Sequence, residues 1–361
     1  MNKVKVLMAT TDELYCERIE EYIQDSGIPI ELNVITDLEY FAYSAEKETA
    51  DIVLLSTDFD NCISEIFLQR PQVFFLASEN MGEKERRCIN PYQKTEMFLK
   101  NVLLKYSEIS GDTSFLLEKK SGKKMICFYS PCGGSGKTTL ALALAEALFH
   151  EGKTVLYLNF DPFFSINGIF EEQEKGGFSQ VLLALKQSAG NQFFVAASQK
   201  MKHSRISGVR YFSDLENPYD LEDVKETEIE ELLKQIMQMK EIDIVIVDTE
   251  SALTFRSKKT LEYSDLVFMP MLDDMPCRNK KRGLEEAATV SALLENVLKK
   301  GVWIINRSDR HSKLAQSMGN DCMVIPELPD VREAEKIDKI WKIMGNTVSK
   351  MCIKAMEGCE S

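Results

Sequence analysis

A glycine-rich segment, SPCGGSGKTT from Ser130 to Thr139, lies between an apolar run and an alanine- and leucine-rich stretch. The run that leads into it, MICFYS, is typical of a buried strand, and TTLALALAEALFH is strongly helical. Strand, glycine-rich turn and helix in this order bind phosphate. Glycines let backbone N–H groups point at phosphate oxygens, and the helix directs its positive N-terminus at the same anion. The segment therefore predicts a nucleotide site.

Individual residues of this loop have distinct expected roles. We expect Lys137 to reach the β and γ phosphates as a mobile charge, and the Thr138 hydroxyl to ligate the Mg²⁺ that bridges them. Thr139 is expected to support the α phosphate. The alternative, a glycine-rich turn before an ordinary helix, is disfavoured by the complete GGSGKTT string. The loop residues predicted to bind nucleotide are Gly133, Gly134, Ser135, Gly136, Lys137, Thr138 and Thr139.

The rest of the chain predicts two α/β domains. At 361 residues it exceeds the length at which single cores usually stop growing. From Val4 to about Tyr106, short apolar runs (VKVLMAT, IELNVIT, DIVLLST, QVFFLAS) alternate with amphipathic stretches, which favours a parallel sheet. A largely polar stretch follows, and apolar strands then recur from MICFYS onward. We predict a first domain over 1–107, a linker over 108–123 and a nucleotide-binding domain over 124–361, its mostly parallel sheet having helices on both faces.

Charge and composition exclude several classes of protein. The formal net charge of −13 opposes general affinity for nucleic acid, so any contact with DNA must be local. The candidate is the basic cluster 278–282 (RNKKR), although such runs are usually solvated loops. No stretch approaches the roughly 18 apolar residues of a membrane-spanning helix, and no signal peptide is recognisable, which predicts a cytoplasmic location. The nine cysteines form no C-x-x-C pair and are expected to be reduced and mostly buried.

The glycine-rich loop resembles the deviant Walker motif, K-G-G-x-G-K-[ST]-[ST], of the MinD/ParA family. Two further motifs follow in the family's order. LNFDPF resembles the second acidic motif, which implies that Asp161 orients the attacking water, and it has Asn159 where aspartate is usual. Within IVIVDTE, a strand is expected to end at Asp248, a carboxylate suited to holding a Mg²⁺-bound water at the carboxyl end of a central strand. The resemblance implies catalytic roles for Lys137, Asp161 and Asp248, although Asp161 can also be read as a turn or helix cap.

The last part of the family pattern concerns the nucleotide base. WIINR followed by VIPELP resembles the adenine-binding end of the fold. The implied adenine-binding residues are Asn306, Arg307, Pro326 and Glu327. The alternative for Asn306 is that it ends its strand in a turn.

One departure from the family pattern concerns hydrolysis. Cys132 stands where family members carry a second lysine, which reaches the phosphates of a partner subunit. Since a cation supplied in trans is worth about 10³ to 10⁵ in rate, we expect nucleotide binding with slow hydrolysis. Arg256, Lys258 and Lys259 are candidates to substitute for the missing cation.

The first domain resembles a response-regulator receiver that lacks the chemistry of phosphorylation. The acidic pair of receivers corresponds here to Thr10 and Thr11, the phosphoacceptor to Ser56, and the switch lysine to Asn90. Without these groups neither Mg²⁺ binding nor aspartyl phosphorylation is expected, which predicts a flavodoxin-like pseudo-receiver used for docking or dimerisation. Asp58 is the alternative acceptor.

The combination of a pseudo-receiver with a deviant Walker ATPase is similar to the TadZ/CpaE proteins of the Flp (Tad) pilus system. KGGFSQVLLALK and GVRYFSDLENPYDLEDV also resemble that family. The resemblance implies a cytoplasmic homodimer, formed with ATP and Mg²⁺, that places pilus assembly proteins, often at a cell pole or the inner face of the membrane. The alternatives are a scaffold with negligible hydrolysis and a ParA-like DNA-partitioning ATPase.

Other members of the superfamily fit the end of the chain less well. A bacterial tyrosine kinase ends in a tyrosine cluster, whereas this chain ends MCIKAMEGCES. An iron–sulfur carrier needs a close cysteine pair, which Cys352 and Cys359 do not form. The stripe of apolar residues between Lys336 and Met356 predicts either a core helix interrupted at Gly345 or a helix that lies on a membrane surface.

Overall fold

The chain, represented by a computed structural model, divides into two compact units, Met1–Phe115 and Leu116–Ser361. The division falls inside the predicted linker. The last helix of the first unit extends to Ser110 and ends at Gly111, which has a left-handed φ of 73°. The structure describes residues 3–45, 47, 49–77, 87–117, 122–163, 166–170, 172–187, 190–205, 207–309, 312–333 and 336–357.

The first unit is a five-stranded parallel sheet with the order β2-β1-β3-β4-β5. This is the flavodoxin-like order, in which ligands bind outside the carboxyl ends of β1 and β3. The strands are β1 (Val4–Ala9), β2 (Ile30–Ile35), β3 (Ile52–Ser56), β4 (Val73–Leu76) and β5 (Cys88–Ile89). The helices are α1 (Glu13–Ser26), α2 (Leu38–Ser44), α3 (Glu65–Leu68) and α4 (Thr95–Ser110).

The apolar runs of this unit are continuous because the sheet is buried on both faces. Along β1, Val6 and Met8 lie in one core cluster, together with Val102 of α4. Leu7, between them, lies in a second cluster with Phe41 of α2. Side chains alternate across a strand, so each run supplies both cores.

The second unit is an eight-stranded sheet with the order β13-β12-β11-β6-β10-β7-β9-β8. All its strand pairs are parallel except β8 with β9. The strands are β6 (Lys124–Phe128), β7 (Val155–Asn159), β8 (Met201–His203), β9 (Arg210–Phe212), β10 (Ile244–Asp248), β11 (Leu266–Leu272), β12 (Gly301–Asn306) and β13 (Cys322–Ile325).

Helices cover both faces of this sheet, as the sequence predicts. They are α5 (Lys137–His150), α6 (Ile166–Phe170), α7 (Gly177–Gln187), α8 (Gly190–Lys200), α9 (Tyr219–Glu222), α10 (Glu226–Gln238), α11 (Phe255–Tyr263), α12 (Met275–Ala288), α13 (Ala292–Lys300), α14 (Lys313–Met318) and α15 (Ile337–Met356). The central helix is α5, whose residues from Leu140 to Leu148 are all buried. Its amino end therefore has a fixed position at the end of β6.

The amphipathic stripe near the end of the chain is a core helix. Ile337, Ile340, Met344 and Val348 of α15 are buried in the cluster that also contains α5. The predicted interruption at Gly345 is wrong, because α15 continues through it. A Cβ at that glycine would lie 3.1 Å from the Trp341 ring, so the small residue serves close packing. Since its apolar face is covered, this helix cannot also present that face to a membrane.

No helix among the described residues combines the length and apolarity needed to cross a bilayer.

Candidate nucleotide site

The glycine-rich loop joins β6 to α5 with backbone angles that glycine favours. Gly134 and Gly136 have φ values of 70° and 92°. A Cβ at Gly136 would overlap the amide nitrogen of Asn306, whereas a Cβ at Gly134 would meet open space. Gly136 is therefore required both by its left-handed conformation and by the close approach of β12.

Two hydroxyl groups hold the carboxylate at the end of β10. Because β10 lies between β6 and β7 in parallel register, Asp248 stands beside Phe128 and Asn159 at the carboxyl edge of the sheet. Thr138 Oγ1 donates to Asp248 Oδ2 at 2.6 Å, and Tyr157 Oη donates to the same oxygen at 3.0 Å. The sequence analysis identifies Thr138 and Asp248 but misses Tyr157. The signal that could have indicated Tyr157 is a phenol inside the otherwise apolar run of β7.

The other carboxylate oxygen of Asp248 fits a magnesium site. Asp248 is 3% exposed, and its Oδ1 has no hydrogen-bond partner in the described part of the chain. Burial raises its pKa to about 6, although the hydrogen bond from Thr138 and the charge of Lys137 favour the ionised form. A buried acceptor without a donor destabilises the apo protein, and a Mg²⁺-bound water would satisfy it. Thr138 and Asp248 are thus suited to hold Mg²⁺ with a nucleotide.

The ammonium of Lys137 lies at the amino end of α5. Its Nζ donates to Ser251 Oγ at 2.6 Å, a contact that the sequence does not predict. Burial lowers the pKa of Lys137, while Asp248 and Asp161 oppose that shift by stabilising its charge. A partly desolvated cation at the amino end of a helix is suited to binding a polyphosphate.

Asp161 and Asn159 organise the turn that follows β7. Asn159 Oδ1 accepts from the backbone N–H of Asp161 at 2.7 Å, and Asp161 Oδ1 accepts from that of Phe163 at 3.0 Å. Asp161 thus has the turn-capping role that was the alternative to catalysis. Asn159, Asp161 and Ser213 line one cavity of about 260 Å³. The carboxylate remains exposed at the same sheet edge as Asp248.

Three of the four predicted adenine-binding residues line one small cavity. Thr139, Asn306, Arg307 and Pro326 line a space of about 60 Å³, whereas ligand cavities are usually at least about 300 Å³. Glu327 is outside its lining. Asn306 Nδ2 donates to the Ser135 carbonyl at 2.8 Å, so this side chain also braces the phosphate loop. A purine would require the apolar side chains of this cavity to move.

The three candidate substitute cations belong to α11 and not to the loop that carries Cys132. Arg256 is 3% exposed and forms ion pairs with Glu222 and Glu250. Lys259 pairs with Glu226, Glu230 and Glu262, and Lys258 is exposed on α11. Among the described residues, these cations form no hydrogen bond or ion pair with the loop.

The basic cluster 278–282 lies on a helix rather than in a loop. It is part of α12, which ends at Ala288; a separate helix, α13, begins after Ser291, whose hydroxyl caps it. Arg278, Lys281 and Arg282 pair with Asp273, Glu285 and Glu286, respectively. Three of its four cations are therefore partly neutralised within the chain, which weakens the cluster as a DNA contact.

The expected receiver positions meet at the carboxyl edge of the first sheet. Thr10 is buried, and Thr11 Oγ1 donates to Asp58 Oδ2 at 3.4 Å. The hydroxyl of Ser56 is buried and has no partner among the described residues. Asn90 Oδ1 accepts from the backbone N–H of Tyr92 at 2.8 Å. Hydroxyls and an amide thus occupy all four expected positions, with Asp58 the nearby carboxylate.

The second unit is similar to known proteins in its sequence and in its fold. Residues 123–299, just under half of the chain, match the family model described as an AAA domain. No curated protein matches the chain. The septum site-determining protein MinD from Pyrococcus horikoshii OT3, complexed with Mg-ADP, is 17% identical with a TM-score of 0.48, over 66% of this chain and 95% of that one.

Two other solved structures are similar to the same extent. A ParA family ATPase from Chlorobium tepidum TLS is 16% identical with a TM-score of 0.48, over 66% of this chain and 98% of that one. A putative plasmid partition protein from Borrelia burgdorferi B31, bound to AMPPNP, is 18% identical with a TM-score of 0.46, over 62% of this chain and 99% of that one.

Proposed function

We propose that the second unit is a MinD/ParA-type ATPase that binds ATP with Mg²⁺ and hydrolyses it slowly. The observation that carries the proposal is the convergence of Lys137, Thr138 and Asp248 at one end of a glycine-rich loop. Lys137 is held by Ser251, and Thr138 is hydrogen-bonded to Asp248. Cation, hydroxyl and carboxylate are the groups that a Mg-triphosphate requires.

The residues of the chain divide the work of binding and hydrolysis. The loop amides and Lys137 hold the phosphates, and Thr138 and Asp248 hold the metal. When bound, Mg²⁺ neutralises part of the phosphate charge. Asp161, exposed beyond β7, orients water after it gives up its bond to the Phe163 amide. With a buried thiol at Cys132, the loop contributes one side-chain cation, which supports slow turnover.

The biological role that we propose is a switch for placing an assembly. ATP at a subunit interface orders loops that bind a partner differently from the ADP or empty state. The resemblance to TadZ/CpaE motivates a homodimer that positions Flp/Tad pilus proteins from the cytoplasm. The first unit, a pseudo-receiver in this proposal, supplies a docking or dimerisation surface.

Calorimetry and light scattering test the nucleotide switch. We expect the wild-type protein to bind Mg-ATP and to increase in mass with Mg-ATP but not with Mg-ADP. Lys137→Ala should lose both properties. No heat with any adenine or guanine nucleotide would contradict the nucleotide site, and one unchanged mass in every condition would favour a permanent scaffold.

Separate assays test hydrolysis and the first unit. Cys132→Lys should hydrolyse ATP faster than the wild type if the thiol limits the rate. Equal rates would contradict that explanation. Radiolabelled acetyl phosphate should leave the protein unlabelled, and label at Asp58 would overturn the pseudo-receiver.

A further inference from the structure

Helix α12 contacts the beginning of the phosphate loop through two residues on one face. Cys277 and Lys280 are three positions apart, so their side chains project from neighbouring positions on the helix. The side chains of Cys277 and Cys132 are buried in one apolar cluster. Lys280 Nζ donates to the carbonyl oxygen of Pro131 at 2.8 Å. The buried contact thus fixes the helix that carries Lys280 to the loop.

Lys280 differs from the other cations of its helix in its electrostatic partners. Arg278 Nε donates to Asp273 Oδ1 at 2.9 Å, and Lys281 pairs with Glu285 and lies 5.2 Å from the centroid of the Trp303 ring. In the part of the chain that the structure describes, Lys280 forms no ion pair, and its hydrogen bond is to a carbonyl. An ammonium group has three donors, so Lys280 has further donors for an anion. No carboxylate of the described residues neutralises its charge.

We propose that Lys280 is a phosphate-binding residue of the nucleotide site and contacts a nucleoside triphosphate held by the loop. This inference depends on the nucleotide site proposed above and adds a second side-chain cation to Lys137. Lys280 is exposed and its stem is flexible, so its ammonium can exchange the Pro131 carbonyl for a phosphoryl oxygen. The exchange is favourable because a charge-assisted hydrogen bond to phosphate is stronger than one to a neutral carbonyl.

Calorimetry with Lys280→Gln tests this role. Glutamine keeps a donor for Pro131 but removes the charge. We expect Mg-ATP affinity to fall about tenfold, and Mg-ADP affinity to fall less, because the terminal phosphate concentrates negative charge. The dependence of ATP affinity on salt should also weaken, since one charge pair is lost.

Arg282→Gln provides the matched control. It removes one positive charge from the same helix, at a side chain paired with Glu286. We expect it to leave both affinities within about twofold of wild type. Equal losses in the two variants would overturn a specific role for Lys280 and indicate a general field effect.

The remaining outcomes separate this inference from the proposed function. If wild type binds Mg-ATP, Lys137→Ala does not, and Lys280→Gln binds as wild type, the inference is wrong and the nucleotide site stands. Lys280→Gln could instead lower the melting temperature and keep the wild-type ratio of Mg-ATP affinity to Mg-ADP affinity. In that case Lys280 only braces the loop, and the inference is also wrong. If wild type binds no nucleotide, both proposals fail.

Discussion

The Thr138 hydroxyl donates to the Asp248 carboxylate at 2.6 Å, which joins the first turn of α5 to the end of β10. The two residues are 110 positions apart in the chain. Their contact forms because β10 is the parallel neighbour of β6, the strand that feeds the loop. The two groups suited to hold Mg²⁺ are therefore already together in the apo fold, so little ordering of side chains needs to accompany binding.

Removal of the Tyr157 hydroxyl should weaken Mg-ATP binding. Tyr157→Phe deletes one of the two donors to Asp248 Oδ2 and leaves the buried ring in place. We expect a loss of about 1 kcal/mol, roughly fivefold in affinity at pH 7.5. Tyr211→Phe is the control, because Tyr211 lies on β9, next to β7, and its phenol donates to Glu172 rather than to Asp248. Titration calorimetry should show the loss in the first variant alone, and equal affinities would contradict the role of Tyr157.

Asp248 should make the apo protein less stable as pH rises through 6. Burial raises its pKa from 3.8 to about 6, so the folded chain retains a proton that the unfolded chain has lost. Between pH 3.8 and about pH 6, the proton that the folded chain retains on Asp248 favours folding. Above pH 6 this proton is lost, and the folded state has the full free-energy cost of the buried charge. Asp248→Asn removes that cost and should stabilise the apo protein by up to about 3 kcal/mol at pH 7.5.

Urea unfolding of wild type and Asp248→Asn measures this effect. The gain should shrink as pH falls from 7.5 to 5, and it should vanish below pH 3.8 if the chain remains soluble there. The same variant should lose Mg²⁺-dependent nucleotide binding. A variant less stable than wild type at pH 7.5 would show that the charge is compensated rather than costly.

Local patterns in the sequence predict the strand–loop–helix unit, and the structure forms it. The carboxylate at the end of an apolar run also predicts where Asp248 lies, because parallel strands end at one edge. Contacts between distant elements are beyond such patterns. The sequence does not indicate that Tyr157 reaches Asp248, that Ser251 holds Lys137, or that Lys280 contacts the loop. Each depends on strand order and helix docking, which no local signal encodes.

Two expectations were wrong for different physical reasons. The glycine at position 345 has a low helix propensity, yet α15 continues because packing against α5 and Trp341 outweighs it. The basic cluster 278–282 was expected in a loop, but Asp274 caps a helix there by accepting from the Cys277 amide. Tertiary contacts decided the first outcome, and a local helix cap decided the second.

Alanine substitutions at three glycines of the loop should distinguish the need for a left-handed backbone conformation from the need for space at the Cβ position. Gly133→Ala meets no atom within 4 Å and needs no left-handed conformation, so its effect should be small. Gly134→Ala has space but a φ of 70°, which costs about 1–2 kcal/mol. Gly136→Ala pays the conformational cost and also overlaps Asn306, so its loss of stability should be the largest.

Thermal unfolding should give this order of stability. Adding Asn306→Ala to Gly136→Ala removes the overlap and should recover part, but not all, of the loss. If Gly134→Ala and Gly136→Ala were equally destabilised, the approach of Asn306 to the loop would have no energetic role.

Charged substitutions in α15 should distinguish a core helix from a membrane-surface helix. Val348 is fully buried against α5, whereas Ile353 is 61% exposed on the other side of the helix. Val348→Asp buries an unpaired carboxylate and should cost about 3 kcal/mol or more, which lowers the melting temperature by about 10 °C. Ile353→Asp should change stability by no more than about 0.5 kcal/mol. Melting curves of both variants without lipid test this expectation. A Val348→Asp protein that melts at the same temperature as wild type would indicate that the apolar stripe of α15 lies on the surface.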